Sequence, residues 1–178
     1  MAIYDVPADE LIGRTALSLK GIKELTPPSW AIFVKTGSFK KRPPTNPDWW
    51  YVRAASVLRK IALRGPIGTS KLRTIFGGRN RRGFKSERFA RASGSIIRHV
   101  LQQLDAAKLT SVELKKQFRG RKISPSGMAL LDKVAAEIFK EKGLTIPQKK
   151  AEDVKPIKKK AVRKKAVKKT KKVEDGKS

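Results

Sequence analysis

The chain has 178 residues, of which 43 are lysine or arginine and 15 are aspartate or glutamate, giving a formal net charge of +28. This length predicts one folded domain, and self-repulsion at this charge destabilises a compact chain unless a polyanion binds it. With no cysteine and one histidine, His99, the chain has no disulfide, no thiolate metal site and no site that needs two imidazoles. No segment approaches the ~18 consecutive apolar residues of a membrane-spanning helix, and the acidic N-terminus is unlike a signal peptide, so we expect a soluble protein that is not secreted.

The first part of the chain predicts one helix, a short second element and a linker. Apolar residues at helical spacing predict a helix over residues 7–20. After a Pro-Pro stop, Ser29 can cap a short helix in "WAIFV", although a strand is also compatible with these residues. The basic, proline-rich "SFKKRPPTNP" is typical of a linker.

The stretch "PDWWYVRAASVLRKIALRGP" predicts a central helix, which Asp48 or Thr45 can cap and Gly65 ends. One side of this helix carries an apolar stripe, formed by Trp50, Ala54, Val57, Leu58 and Ile61. Another side carries cations. We therefore predict that one face of the helix packs in the core and the other faces an anion.

The following residues predict three further helices and a hairpin. "GTSKLRTIFGG" predicts a short helix, and the basic stretch Phe76–Lys85 is interpreted as a connector. "ASGSIIRHVLQQLDAAKL" predicts a helix whose core face holds Ile96, Ile97, Val100, Leu101 and Leu104. Two β-compatible arms, about 110–115 and 119–124, flank a predicted turn near Phe118–Gly120, and a last helix runs from Pro125 towards Gly143.

This order of helices and hairpin predicts a mainly α, winged-helix-like domain over residues 1–147, with a small β-hairpin as its wing. Residues 148–178 hold 14 lysines or arginines, four acidic residues and no aromatic residue. Such a composition cannot offset the entropy of ordering, so we expect a Lys-rich, low-complexity tail that is disordered without RNA.

The sequence offers no catalytic or cofactor-binding motif. "GPIGTSK" lacks the glycine spacing of a phosphate-binding loop, and "FGGRNRRGF" lacks its Gly-Lys-Ser/Thr end. The acidic residues are scattered along helices, and His99 is predicted on an outward helix face without a nucleophile. We therefore expect no enzyme, no catalytic residue, no metal, no cofactor and no small-molecule substrate.

Cations inside the predicted domain indicate nucleic-acid binding. From Arg53 to Arg91 there are twelve lysines or arginines, nine of them arginine, and one acidic residue, Glu87. Arginine suits bidentate phosphate contacts, and Phe84, Phe89 and Phe118 could stack on bases, whereas Phe76 is better explained as core. The predicted nucleic-acid-binding residues are Arg53, Arg59, Lys60, Arg64, Lys71, Arg73, Arg79, Arg81, Arg82, Lys85, Arg88, Arg91, Arg98, Arg119 and Arg121.

The motifs "DWWYVRAASVLRKIALRGPIG", "LRTIFGGRNRRGF", "ASGSIIRHVLQQL" and "RKISPSGMALLD" together resemble the S-nineteen-e family of small-subunit ribosomal proteins, of the archaeal and eukaryotic type. The resemblance covers about residues 3–142, and the wording of the motifs favours an archaeal source. It implies a winged-helix-like fold, RNA binding in the head of the small subunit beside other ribosomal proteins, and a role in subunit maturation. Arg53 and Arg59 match basic positions of the family's central helix, "GGRNRRG" its basic loop, and Arg98 its second RNA-facing helix.

The predicted function is therefore that of a structural ribosomal protein in the cytoplasmic ribosome, without membrane contact. The main alternative is a winged-helix DNA-binding chromatin protein of the linker-histone type, which also combines a small core with a Lys-rich tail. A sequence-specific transcription regulator fits less well, because the chain has excess charge and no evident dimerisation element.

Overall fold

A computed structural model describes residues 2–114 and 119–142 of the chain. The predicted tail, residues 148–178, and the predicted stacking residue Phe118 lie outside these ranges. The described helices and strands are α1 (Ala8–Lys20), α2 (Trp49–Arg64), α3 (Thr69–Ile75), β1 (Gly78–Arg82), β2 (Lys85–Ala90), α4 (Gly94–Ala106), β3 (Thr110–Leu114), β4 (Arg119–Ile123) and α5 (Pro125–Glu141). The "WAIFV" region forms a single 3-10 turn, Ser29–Ile32.

The helices follow the apolar periodicity of the sequence. All five residues of the predicted α2 stripe are fully buried, and so are the five core residues predicted for α4. The N-termini of the helices differ in their capping. Asp48 precedes α2, but its carboxylate accepts a hydrogen bond from Lys20 Nζ at 2.6 Å instead of capping the helix. Ser124 caps α5, because its Oγ accepts the Gly127 N–H at 3.2 Å.

Trp50 lies at the centre of the core and ties three parts of the chain together. Its indole Nε1–H donates to Gln103 Oε1 on α4 at 2.9 Å, and Gln103 Nε2 donates to the Thr26 carbonyl at 2.6 Å. The Trp30 ring meets Trp50 edge-on, with ring centroids 5.7 Å apart. The buried indole therefore has its hydrogen-bond partner, and that partner in turn holds the segment before the 3-10 turn.

The central part of the chain has winged-helix topology, as predicted. After α2, Ile67 forms a one-residue antiparallel bridge to Arg121 of β4, with two backbone hydrogen bonds of 3.1 and 3.0 Å. Helices α3 and α4 follow, and then the β3–β4 hairpin, which is the wing. Of the residues predicted for the turn, Arg119 and Gly120 belong to β4, and Phe118 lies outside the described residues.

A second hairpin replaces the connector predicted between α3 and α4. Strands β1 and β2 pair antiparallel from Gly78 opposite Ala90 to Arg82 opposite Lys85. A two-residue connection follows Arg82, and Gly83 is its first residue, with a φ of 71°. A hairpin turn of type II′ takes glycine at this position. The loop interpretation of this stretch was wrong, because backbone pairing forms the strands without any buried side chains.

Helix α5 approaches the wing closely through Gly127. This glycine is buried, and a Cβ atom at its position would overlap the carbonyl oxygen of Leu109, the residue before β3, and lie 3.1 Å from Cγ1 of Ile123 in β4. Gly13 in α1 is a helical glycine of the opposite kind, because a Cβ there would meet nothing within 4 Å.

We expect Gly127→Ala to lower the free energy of unfolding by about 1–3 kcal/mol, because the added methyl group must displace backbone. Gly13→Ala is the matched control and should raise it by about 0.5–1 kcal/mol, since alanine favours a helix interior. Denaturant unfolding of both variants measures the difference. Equal stability of the two variants would contradict the close packing of α5 on the wing.

We expect Gln103→Ala to lower the free energy of unfolding by about 1–3 kcal/mol, because the buried Trp50 N–H loses its acceptor. The neighbouring Gln102 is exposed, so Gln102→Ala should change it by at most about 0.5 kcal/mol. Thermal unfolding of the two single variants is the measurement. A Gln103→Ala variant as stable as the Gln102→Ala variant would show that this hydrogen bond contributes nothing.

Candidate nucleic-acid interface

The β1–β2 hairpin presents its side chains to solvent. Every residue from Arg81 to Phe89 is exposed, and Phe84 in its turn is fully so. The predicted binding residues on this hairpin are Arg79, Arg81, Arg82, Lys85 and Arg88, and the exposed Arg91 follows directly. A two-stranded hairpin without a buried face has little stability of its own, so packing in the core does not explain its side chains.

Glu87 is the acidic residue of this hairpin, and it partly neutralises β1. Its carboxylate forms ion pairs with Arg79 and, at 3.6 Å, with Arg81 Nε. Both arginine side chains nevertheless remain about three-quarters exposed, at 74% and 76%. Arg82 donates to the Ser86 carbonyl at 3.3 and 2.7 Å and so holds the turn.

The base of the hairpin is fixed from two sides. Arg73 of α3 donates from Nε to the Ala92 carbonyl at 3.1 Å, and the Ala92 N–H donates back to the Arg73 carbonyl at 2.9 Å. On the other side, the Ser93 N–H donates to the Thr36 carbonyl at 3.0 Å. Arg73 is therefore half-buried with a structural contact, whereas the sequence predicted it only as a binding residue.

Arg121 has a structural contact as well. Its Nε pairs with Asp105 Oδ2 of α4 at 2.6 Å, and Asp105 Oδ1 accepts from the Thr110 hydroxyl at 2.5 Å. The Arg121 and Asp105 side chains are only 22% and 24% exposed. This pair joins the wing to α4, so the charge of Arg121 is already balanced within the fold.

The basic face of α2 is more buried than its sequence pattern predicts. The Arg53 guanidinium lies over the Phe76 ring, 4.6 Å from its centroid, and burial lowers the pKa of Arg53. Arg53 nevertheless keeps its charge, because the guanidinium of arginine is not deprotonated in proteins. Arg59 Nε is buried and has no hydrogen-bond partner among the described residues. Lys60 is half-buried and Arg64 is exposed.

The remaining predicted residues lie apart on three elements. Lys71 of α3, Arg98 of α4 and Arg119 of β4 are all exposed. Beside Arg98, His99 packs against Trp30 with ring centroids 5.3 Å apart, so it has an aromatic neighbour on the outward side of α4.

Four cations that precede α2, one before the linker and three within it, lie on or next to the surface of β1, although they were not among the predicted binding residues. They are Lys35, Lys40, Lys41 and Arg42. An open groove of about 700 Å³ runs between the linker and β1, and Lys35, Lys40 and Lys41 line it together with Arg79 and Arg81. The run "FKKRPP" contains three of these four cations, but the sequence alone does not show that they lie near the hairpin.

Among the described residues, no three histidine, cysteine, aspartate or glutamate side chains are grouped so that they could hold a metal ion. None of the helices described here is both long and apolar enough to cross a membrane.

Comparison with known proteins gives consistent matches along this domain. The profile of the family described as ribosomal protein S19e matches residues 2–141. A protein of Aeropyrum pernix named small ribosomal subunit protein eS19 is 51% identical over 146 residues, which cover 81% of this chain and 94% of the relative. Proteins of the same name from Thermoplasma volcanium and Mya arenaria are 43% and 36% identical, covering 79% and 83% of this chain and 91% and 97% of theirs. Archaeal relatives are thus among the matches, in line with the wording of the motifs.

We expect Glu87→Gln to strengthen binding to a polyanion, because it releases Arg79 and Arg81 from their internal carboxylate. The salt concentration that elutes the full chain from heparin measures this change. Glu24→Gln adds the same net charge at an exposed position outside the hairpin and groove, and should shift elution less. Equal shifts for the two variants would show that only total charge matters, not its place on the hairpin.

Proposed function

The chain belongs to the ribosomal protein S19e family and is a structural, non-enzymatic constituent of the small ribosomal subunit, and we propose that it binds the RNA of that subunit through the β1–β2 hairpin and the groove beside it. Its place is accordingly the cytoplasmic ribosome.

The observation that carries this proposal is the exposure of the hairpin cations. Arg88, Lys85 and Arg91 are exposed and form no ion pair within the described part of the chain. Concentrating unneutralised charge on an element without a buried face destabilises the isolated protein through repulsion. That cost is offset when phosphates replace water and counterions around the hairpin.

The insertion of this hairpin favours RNA over the linker-histone alternative. In a DNA-binding helix-turn-helix protein a short turn lets the second helix lie in the major groove. Here the residues between α3 and α4 include a whole hairpin beside the N-terminus of α4, and the outward side of α4 carries His99 packed on Trp30. A helix with these neighbours is poorly placed to read bases in a DNA groove.

A folded RNA fits this surface better. Its double-stranded parts are recognised through phosphates and 2′-hydroxyls, without insertion of a recognition helix. The cations of the hairpin, the groove, Lys71 and Arg64 supply many separate phosphate contacts of this type. Of the predicted residues, Arg73 and Arg121 contribute mainly by holding the elements that carry the others.

We extend the proposal to the neighbours of this protein and to the assembly of the subunit. Ile32 and Phe33 are 76% and 83% exposed at the 3-10 turn, and large apolar side chains side by side suit a contact with a neighbouring ribosomal protein of the subunit head. A protein that joins several RNA helices and a neighbour would also support maturation of the subunit. The Lys-rich residues 148–178 would add affinity that depends strongly on salt.

The triple variant Arg81→Ala, Lys85→Ala and Arg88→Ala tests the RNA interface. We expect it to lower cosedimentation of the tagged full chain with small subunits by about tenfold or more, because several phosphate contacts are lost together. The matched control replaces three exposed lysines outside the interface, Lys23, Lys133 and Lys140, by alanine and should cosediment like the unmodified chain.

Thermal unfolding of both triple variants controls for their stability, and neither should lose cooperative unfolding since all six side chains are exposed. If the hairpin variant cosediments at the level of the unmodified chain, the hairpin is not the RNA interface. If both variants lose cosedimentation equally, binding depends on net charge and not on this surface.

A further inference from the structure

A cavity of about 530 Å³ opens next to the basic groove and is not explained by phosphate contacts. It lies between the linker and the first two turns of α2, and the groove and the cavity share Lys40 at their rims. Its walls include Trp49, Pro44 and the Phe76 ring, and Arg42 stands with Lys40 on its basic side. Aromatic and proline walls provide flat apolar surface, whereas a site for phosphate alone would need only donors and charge.

Arg53 contributes an unusual group to the cavity. Its guanidinium is held over Phe76, and it has no hydrogen-bond or ion-pair partner among the residues that the structure describes. Half-burying a cation without a hydrogen-bond acceptor costs free energy, because the lost contacts with water are replaced only by the contact with the Phe76 ring. No acidic residue lines the cavity. Its electrostatics therefore suit an electron-rich or anionic group that carries a flat aromatic ring.

We propose that this cavity binds one unpaired nucleotide of a single-stranded RNA segment, with the base among Trp49, Arg53 and Phe76 and the flanking phosphates on Lys40, Arg42 and the groove. This inference rests on the proposed function, because it names the part of the RNA that the surface recognises. Unpaired bases stack on aromatic rings and on arginine planes regardless of sequence, and a pocket of about 300–1,000 Å³ is the usual size for a small ligand.

The groove explains why the nucleotide belongs to a polymer. A free nucleotide would meet only the rim cations of the cavity, while Lys35, Lys41, Arg79 and Arg81 continue the basic surface away from it. Only a strand that continues past the pocket places phosphates along these residues.

A cavity-filling variant tests the proposal without changing any charge. Ser56 of α2 lines the cavity, and its hydroxyl bonds only to the Val52 carbonyl one turn back, at 2.8 Å. Ser56→Leu therefore fills the space with a side chain that favours a helix. Ser18→Leu is the matched control, because the Ser18 hydroxyl makes the same kind of bond to Arg14 on α1, outside the interface.

The full chain is titrated with single-stranded oligoadenylate and with a fully paired RNA duplex that carries the same number of phosphates. Ser56→Leu should weaken oligoadenylate binding by about five- to a hundredfold, the effect of losing one stacked base, without changing its salt dependence. Affinity for the duplex should fall much less, and Ser18→Leu should bind both RNAs like the unmodified chain.

If Ser56→Leu binds oligoadenylate as tightly as Ser18→Leu, the cavity does not hold a base, and the proposed function is unaffected. If the unmodified chain binds neither RNA, the proposed function itself fails.

Tryptophan fluorescence provides a second measurement that does not depend on the folding of Ser56→Leu. Oligoadenylate should quench the tryptophan fluorescence of the unmodified chain. The Trp49→Phe variant should lose most of that quenching, because Trp49 is the tryptophan that lines the cavity. Quenching that persists in Trp49→Phe would overturn the proposal. Adenosine monophosphate should bind far more weakly than oligoadenylate, and equal binding of the two would assign the cavity to a free nucleotide instead.

Discussion

Repulsion among cations is the constraint on which the rest of this structure depends. The 43 lysines and arginines cannot all be balanced by 15 acidic residues, so some cations form ion pairs within the domain and others are left unpaired. Arg121 with Asp105, and Arg73 with the Ala92 carbonyl, are fixed inside the domain and hold the wing and the hairpin base. Lys85 and Arg88 on the hairpin, and Arg91 directly after it, are exposed and form no ion pair within the described residues. Water screens their charge, and a ligand can bind them without disturbing the core.

Because the unpaired cations lie outside the core, the core is held by apolar packing. The apolar stripes of α2 and α4 meet around Trp50, whose polar atom is satisfied by Gln103, and no cation has to enter that contact. Arg53 is the exception, since it lies at the boundary between the α2 core face and the basic surface. Its contact with Phe76, the residue after α3, links the packing of α3 to the shape of the neighbouring cavity.

The helices and the wing could be predicted from the sequence because burial leaves a period in the pattern of apolar residues. The β1–β2 hairpin could not, since "GRNRRGFKSERFA" buries almost nothing and shows no alternation; its one signal was the glycine at the turn, Gly83. The exposed cations of the site were predictable from composition. The pairing of Arg121 with Asp105 and the approach of Lys40 to Arg79 were not, because each joins residues that lie far apart along the chain and meet only in the fold.

The way the hairpin joins the domain makes its length independent of the core. The hairpin begins at Gly78 and ends at Ala90, and these two residues are paired with each other in the antiparallel ladder. The distance between the two ends of the hairpin therefore does not depend on the number of residues between them. Lengthening or shortening such an excursion changes mainly the entropy of closing it, by only about 0.6 kcal/mol for each doubling. The length of this arm can therefore change while α3 and α4 keep their packing.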